Sequence, residues 1–209
     1  VTRNRWTTQV DHYDNLTEVF DILKRINTIL IDLNADIWMY ISINYFKLKT
    51  ISSEVGSSTM PHKVNPINFE NSEGNLYMAN GVLNVFTQKL PISRYQRDLT
   101  DSTICRNFGV GLGYSLLAYN SLIAGLNKLE INREEIAKDL DDNWSILTEA
   151  VQCVMKTENI DDAYEKVKNH SRGLETKFNR ESYLSLVNSL DISPENKHRL
   201  LNLTPTNYF

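Results

Sequence analysis

The chain has 209 residues and a formal net charge of −4, with 23% charged and 41% hydrophobic residues. It is long enough to bury one or two cores, and it lacks the global basic field that nucleic-acid binding requires. Two cysteines, Cys105 and Cys153, give no disulfide framework and stand at no metal-ligand spacing from the four histidines, so neither a metal nor another cofactor is expected and a reduced, cytoplasmic setting fits.

In chain order, Leu16, Phe20, Leu23, Ile26, Leu30, Leu33, Ile37 and Ile41 recur at intervals of three and four, which predicts one long amphipathic helix over about 15–45. Trp38, Tyr40 and Tyr45 belong to the core or an interface on the same pattern. A second helix is predicted from Pro66 to Lys89, with Asn65 as N-cap and Pro66 as the first helical residue. Pro91 marks a connector, and a third helix follows from Ser102 to Leu129 with Asp101 as its cap. Gly109, Gly111 and Gly113 each cost that helix roughly 1 kcal/mol against alanine, which close approach of another helix must offset. Beyond Leu129 the pattern shortens. Asn132 before Arg133-Glu134-Glu135 reads as a capped start, Trp144 to Met155 as a short apolar helix, and Asp161, Asn179 and Ser193-Pro194 as three further starts.

The predicted fold class is therefore all-α. A long-helix bundle occupies 1–130 and a smaller all-helical domain occupies 131–209, packed together because no Gly/Ser linker separates them. No apolar run approaches the length of a membrane span and no signal peptide is visible, so no membrane partner is expected.

The chemistry concentrates in the loop 52–66, which reads Gly56-Ser57-Ser58-Thr59-Met60-Pro61-His62-Lys63-Val64-Asn65-Pro66 from its glycine onward. Gly56 gives backbone freedom, three successive hydroxyls can surround a polar ligand, and Lys63 adds a positive charge ahead of a helix start. Downstream, Arg97 and Arg106 can make bidentate bonds to phosphate oxygens, and Ser102 and Thr103 fall in a predicted first helical turn. The competing partners for those guanidinium groups are Asp98 and Asp101. His12, His170 and His198 are isolated, and His62 reads as loop structure.

The loop string resembles the signature of the fumarase/aspartase superfamily. The segments Asn68-Phe69-Glu70-Asn71-Ser72-Glu73-Gly74-Asn75 and Arg94-Tyr95-Gln96-Arg97-Asp98-Leu99-Thr100-Asp101-Ser102-Thr103-Ile104-Cys105-Arg106 resemble the adenylosuccinate lyase family within it, closest to the bacterial type. That resemblance runs from Thr7-Thr8-Gln9-Val10 through Asn207-Tyr208-Phe209. It implies Ser57 as the base that removes a proton beside a carboxylate, chosen over Ser58 by resemblance alone. It further implies Lys63 and Asn65 at the succinyl carboxylate, Asn71 and Gln9 as substrate contacts, and Arg97, Ser102, Thr103 and Arg106 at a nucleotide phosphate.

The family's general-acid histidine has no counterpart in this sequence, whose start at Val1 reads as a cut. The chain is accordingly expected to be the second half of a homotetrameric enzyme, self-associating but inactive alone. The alternatives are another superfamily lyase, whose substrate would carry no phosphate for Arg97 and Arg106, and a non-catalytic helical assembly module.

Overall fold

The computed structural model describes residues 3–49, 65–171 and 178–208. These residues are mainly α-helical, and the chain divides into two compact units, Val1–Ile131 and Asn132–Phe209.

The first unit is built on α1 (Asp14–Ser42), followed by the short strand β1 (Phe46–Leu48), α2 (Ile67–Lys89), the six-residue α3 (Thr100–Cys105), α4 (Phe108–Lys128) and β2 (Leu129–Ile131). Helix α2 lies in the middle and both long neighbours run antiparallel to it. Along α1, Lys24 meets Asn84, Asn27 meets Asn80 and Asn34 meets Ser72. Along α4, Gly111 lies against Leu83 and Phe86, while Gly125 lies against Phe69. Because α1 and α4 finish at the same end, the strands that follow them meet there, and they pair antiparallel with Phe46 opposite Ile131 and Leu48 opposite Leu129.

Two apolar clusters close this unit. Phe20, Leu83, Phe86 and Leu90 pack with Phe108 near the start of α1, and Ile37, Phe69 and Leu122 pack near its end. The Phe20, Phe86 and Phe108 rings stand 5.0 to 5.1 Å apart between centroids. Each such side chain withdrawn from water contributes roughly 1.5–3 kcal/mol.

The inward stripe of α1 is not quite the one predicted. Ile26 and Leu33 point outward, and the positions facing the bundle are Asn27 and Asn34, both fully buried. Asn27 donates to Asn80 Oδ1 at 3.0 Å and to Ser115 Oγ at 3.2 Å, and its own Oδ1 accepts from the Tyr119 hydroxyl. Asn34 donates to Ser72 Oγ at 3.0 Å. Slipping one helix by a turn would strand these amides in apolar surroundings, so the pairs fix the register of α1, α2 and α4.

Other boundaries also differ from the sequence expectation. α1 ends at Ser42, where Asn44 turns left-handed with φ 66°, and Tyr45 leads into a strand. Pro66, not Asn65, takes the N-cap position of α2. The third predicted helix is two helices, broken at Arg106–Asn107, and Asp101 lies inside α3 instead of capping it. Contrary to the sequence reading, the stretch Thr100–Lys128 is long and apolar enough to cross a membrane by length and composition alone. Its Gly111, Ser115, Ala118, Leu122 and Gly125 are nevertheless buried within the bundle.

Of the three glycines flagged in the sequence, only Gly111 is tightly packed, with side-chain carbons of Leu83, Phe86 and Val82 at 3.2 to 3.3 Å from a notional Cβ. Gly109 and Gly113 face open space, whereas Gly125, unremarked in the sequence, would set a Cβ 2.9 Å from Phe69 Cζ. Gly125→Ala should therefore destabilise the unit by about 1–2 kcal/mol, overpacking exceeding the roughly 1 kcal/mol gain in helix propensity. Chemical denaturation checks this, and an unchanged or raised midpoint would show that Phe69 yields freely.

The second unit comprises α5 (Arg133–Asp141), a 3₁₀ turn at Trp144–Leu147, α6 (Thr148–Thr157), α7 (Ala163–Ser171), α8 (Arg180–Ser189) and α9 (Pro194–Leu201). The predicted starts at Asn179 and Ser193 are true caps, accepting from the Ser182 and Asn196 amides, while Asn132 holds the cap position of α5 without a side-chain cap bond. Glu158 ties the end of α6 to α9, its Oε1 accepting from Ser193 N at 3.1 Å, Asn196 Nδ2 at 2.7 Å and the Ser193 hydroxyl. Tyr183 is fully buried, donates to Leu200 O at 2.7 Å, and has its phenol pushed up to about 12 by that burial.

Candidate active site

Ser57 and Lys63 lie outside the described residues. Of the residues expected beside them, Asn65 is exposed just before α2 and Asn71 is exposed in the second turn of that helix. Among the described residues Asn71 makes no bond to a neighbouring helix. Its carbonyl and Oδ1 accept from Asn75 Nδ2 at 2.8 and 3.3 Å.

At the far end of α2 the chain turns through Arg94–Gln96 into α3. Tyr95 and Gln96 are both left-handed, with φ 53° and 57°, a conformation that costs a residue bearing a Cβ roughly 1–2 kcal/mol. The turn is held by several bonds. Gln96 N donates to Ser93 O at 3.3 Å, Arg97 N to Arg94 O at 3.2 Å, and Val10 N reaches across to Gln96 O at 3.2 Å. That last bond joins the segment carrying Gln9, itself exposed, to the arginine turn.

Both acids of this segment are already engaged. Asp98 accepts from Arg94 N at 2.8 Å, Arg94 Nε at 3.0 Å and Thr100 N at 3.1 Å. Asp101 accepts the Tyr13 hydroxyl at 2.6 Å through Oδ2, and its Oδ1 is buried without a partner among the described residues. Arg97 and Arg106 are exposed, and among the described residues neither makes an ion pair or a side-chain hydrogen bond. The competing Asp98 and Asp101 pairings are thus not formed. Ser102 and Thr103 are exposed on α3 between the two guanidinium-bearing residues, so two free cations and two hydroxyls share one short stretch. The amides at the start of α3 are largely spent, because Thr100 N is taken by Asp98 and Ser102 N donates to Leu99 O at 3.2 Å. An anion here would be held by side chains.

The Arg94 backbone N–H, then its guanidinium and Thr100, hold the Asp98 carboxyl well below the usual carboxylate range. A depressed folded pKa contributes stability that is present above the unfolded value of roughly 4 and is lost as pH falls through the folded value. Asp98 should accordingly remain ionised at about pH 3, where unpaired aspartates are mostly protonated. An NMR titration of its carboxyl carbon checks this, and a midpoint near 4 would mean that the turn does not hold in solution.

The site residues fall into two groups at opposite ends of the unit. Gln9, Arg97, Ser102, Thr103 and Arg106 gather where α1 and α4 begin, while Asn65 and Asn71 stand where α2 begins. From Asn71 to Lys89 alone the helix rises about 27 Å. The remaining histidines have local partners: His12 lies 3.4 Å from Asp14, His170 Nδ1 is 2.8 Å from Lys166 O, and His198 Nε2 is 3.0 Å from Asn202 Nδ2. Among the described residues no cluster of histidine, cysteine and carboxylate side chains could hold a metal. Sequence reasoning missed Tyr13, whose partner is 88 positions away, and no local pattern could have revealed it.

Comparison with known proteins bears on what this arrangement serves. Residues 93–209 match the adenylosuccinate lyase C-terminal family model, and residues 1–81 match a general lyase model. Over 205 residues, 98% of the chain, it is 54% identical to the adenylosuccinate lyase of Buchnera aphidicola from Acyrthosiphon pisum and 51% identical to that of Escherichia coli K12. The Haemophilus influenzae adenylosuccinate lyase is 52% identical over the same length. The chain spans 44% of the length of each of these relatives. In fold it is similar to a class II fumarase from Schistosoma mansoni, with a TM-score of 0.67, 22% identity, and coverage of 93% of this chain and 39% of that one. A fumarate lyase:delta crystallin from Brucella melitensis aligns with a TM-score of 0.60 at 20% identity, covering 88% of this chain and 39% of that one. With a family model matching more than half its length and the arginine segment inside the match, the chain belongs to the adenylosuccinate lyase family.

Proposed function

We propose that this chain is the C-terminal part of a cytoplasmic lyase of purine biosynthesis, one that eliminates fumarate from adenylosuccinate to give AMP and from succinylaminoimidazole carboxamide ribotide. The observation that carries the reading is the pair of guanidinium groups, Arg97 and Arg106, that have no partner among the described residues and stand in one short stretch with the hydroxyls of Ser102 and Thr103. These suit a nucleotide phosphate. Malate, aspartate and argininosuccinate would leave them unused.

In the proposed reaction Ser57 takes a proton from the succinyl carbon beside a carboxylate. Lys63 and Asn65 hold that carboxylate while negative charge accumulates on it as an aci-carboxylate. The electron pair then forms the fumarate double bond, the C–N bond breaks, and the departing nitrogen takes a proton from a histidine contributed by the upstream part. Gln9 and Asn71 contact the substrate.

The separation of roughly 27 Å along α2 is longer than one nucleotide can bridge. A working site therefore combines the start of α2 from one copy with the arginine segment of another. Outward-facing Ile22, Ile26, Ile29 and Leu33 on α1, and Leu116, Leu117 and Ile123 on α4, offer apolar surface for such an assembly, which we take to be a homotetramer.

Mixing this chain with the upstream residues of the Escherichia coli relative tests the reading, with loss of adenylosuccinate followed by absorbance. Turnover is expected only in the mixture. Two folded halves that associate without turnover would favour a helical assembly module instead.

A further inference from the structure

We propose that Tyr13 is a positioning residue for the phosphate site: its hydroxyl holds Asp101 away from Arg97 and Arg106, so that both guanidinium groups stay free for the substrate's phosphate. The inference rests on the reading of function given above. The arginine segment carries two carboxylates among its cations in sequence, Asp98 and Asp101, and a phosphate site tolerates neither in the open. Asp98 is occupied by Arg94 and the Thr100 amide, a solution contained in its own turn. Among the described residues Asp101 has no such local partner.

The partner comes from the far end of the sequence. Tyr13 precedes α1 in a left-handed conformation, φ 58°, and is fixed there because its N–H donates to Asp11 Oδ2 at 3.1 Å and its carbonyl accepts from Leu16 N and Thr17 N at 3.1 and 2.9 Å. Its ring packs against the Phe20, Leu83, Phe86 and Leu90 cluster. From that anchored ring the hydroxyl reaches Asp101 Oδ2 at 2.6 Å, and the second carboxylate oxygen is withdrawn from water. The hydrogen bond to Asp101 and burial keep the phenol protonated, hence a donor, across the physiological range. Asp101 stands four residues after Arg97 and five before Arg106, so a released carboxylate would add a negative charge to the short stretch that carries both guanidinium groups.

Tyr13→Phe in the complete enzyme removes the hydroxyl and keeps the packed ring. Asp101 is then free to turn toward the guanidinium groups and to repel the phosphate dianion. The expected result is a KM for adenylosuccinate raised about tenfold, an equal weakening of competitive inhibition by AMP, and kcat within about twofold of wild type. Adding Asp101→Asn should bring KM back to the wild-type range, because the amide carries no charge. Asp101→Asn alone should bind AMP at least as tightly as wild type.

A structural role alone would lower thermal stability or kcat without this split and without rescue. An unmoved KM in Tyr13→Phe, or a raised KM that Asp101→Asn fails to rescue, overturns the proposal while wild-type turnover leaves the assigned reaction standing. A wild-type enzyme that does not act on adenylosuccinate overturns both.

Discussion

Replacing Ser57 by alanine in the complete enzyme is expected to lower kcat by about 10²–10⁴-fold with little change in KM. A base acts only as the proton leaves carbon, so its loss raises the barrier to that step and leaves ground-state binding through the arginine segment intact. A thousandfold loss corresponds to roughly 4 kcal/mol of transition-state stabilisation. The serine needs help, because a free hydroxyl is far too weak an acid to ionise at neutral pH. Lys63, six residues on, is the local positive charge that can stabilise the alkoxide. Ser58→Ala is the control, since it removes the adjacent hydroxyl from the same loop and should keep turnover within about tenfold of wild type. Near-normal turnover in Ser57→Ala, or an equal collapse in Ser58→Ala, would dislodge Ser57 from this role.

The second large effect concerns Arg97 and Arg106. Changing either to glutamine should raise KM for adenylosuccinate by about 10- to 100-fold, because each removes a charge-assisted bond worth roughly 1.5–3 kcal/mol. Loss of both should fall short of the product of the single effects, since the two share one ligand. The signature that separates phosphate binding from general damage is discrimination. Wild type should prefer adenylosuccinate strongly over its dephosphorylated nucleoside, and Arg97→Gln should erase most of that preference. Equal losses on both substrates would mean that Arg97 supports the fold or another part of the substrate.

Much of the architecture was legible in the sequence because helix formation leaves a local trace. The three- and four-residue spacing of Leu16, Phe20, Leu23, Leu30, Ile37 and Ile41 marks the face of α1 that packs on the bundle, and Asn179 and Ser193-Pro194 mark helix starts where the capping bonds do form. The errors at Ile26 and Leu33 share one cause. Hydrophobic periodicity assigns an apolar side chain to each inward position, yet the bundle puts Asn27 and Asn34 there, paired with amide and hydroxyl groups from other helices. Gly125 leaves no trace in the sequence for a related reason, since a glycine's value depends on how closely Phe69 approaches it.

By itself, the sequence determined the all-α class, the main helical segments, the family through the loop and arginine-segment motifs, and the residue types able to hold a phosphate. These depend on local spacing and side-chain chemistry. Only the tertiary structure decided which of the nearby charges are free. It engages Asp98 with Arg94 and Asp101 with Tyr13, leaves Arg97 and Arg106 without a partner among the described residues, and separates Asn65 and Asn71 from them by the length of α2. Hydrogen bonds and ion pairs are set by distances of a few ångströms between groups that the chain connects over tens of residues, and spacing along the sequence carries no record of those distances.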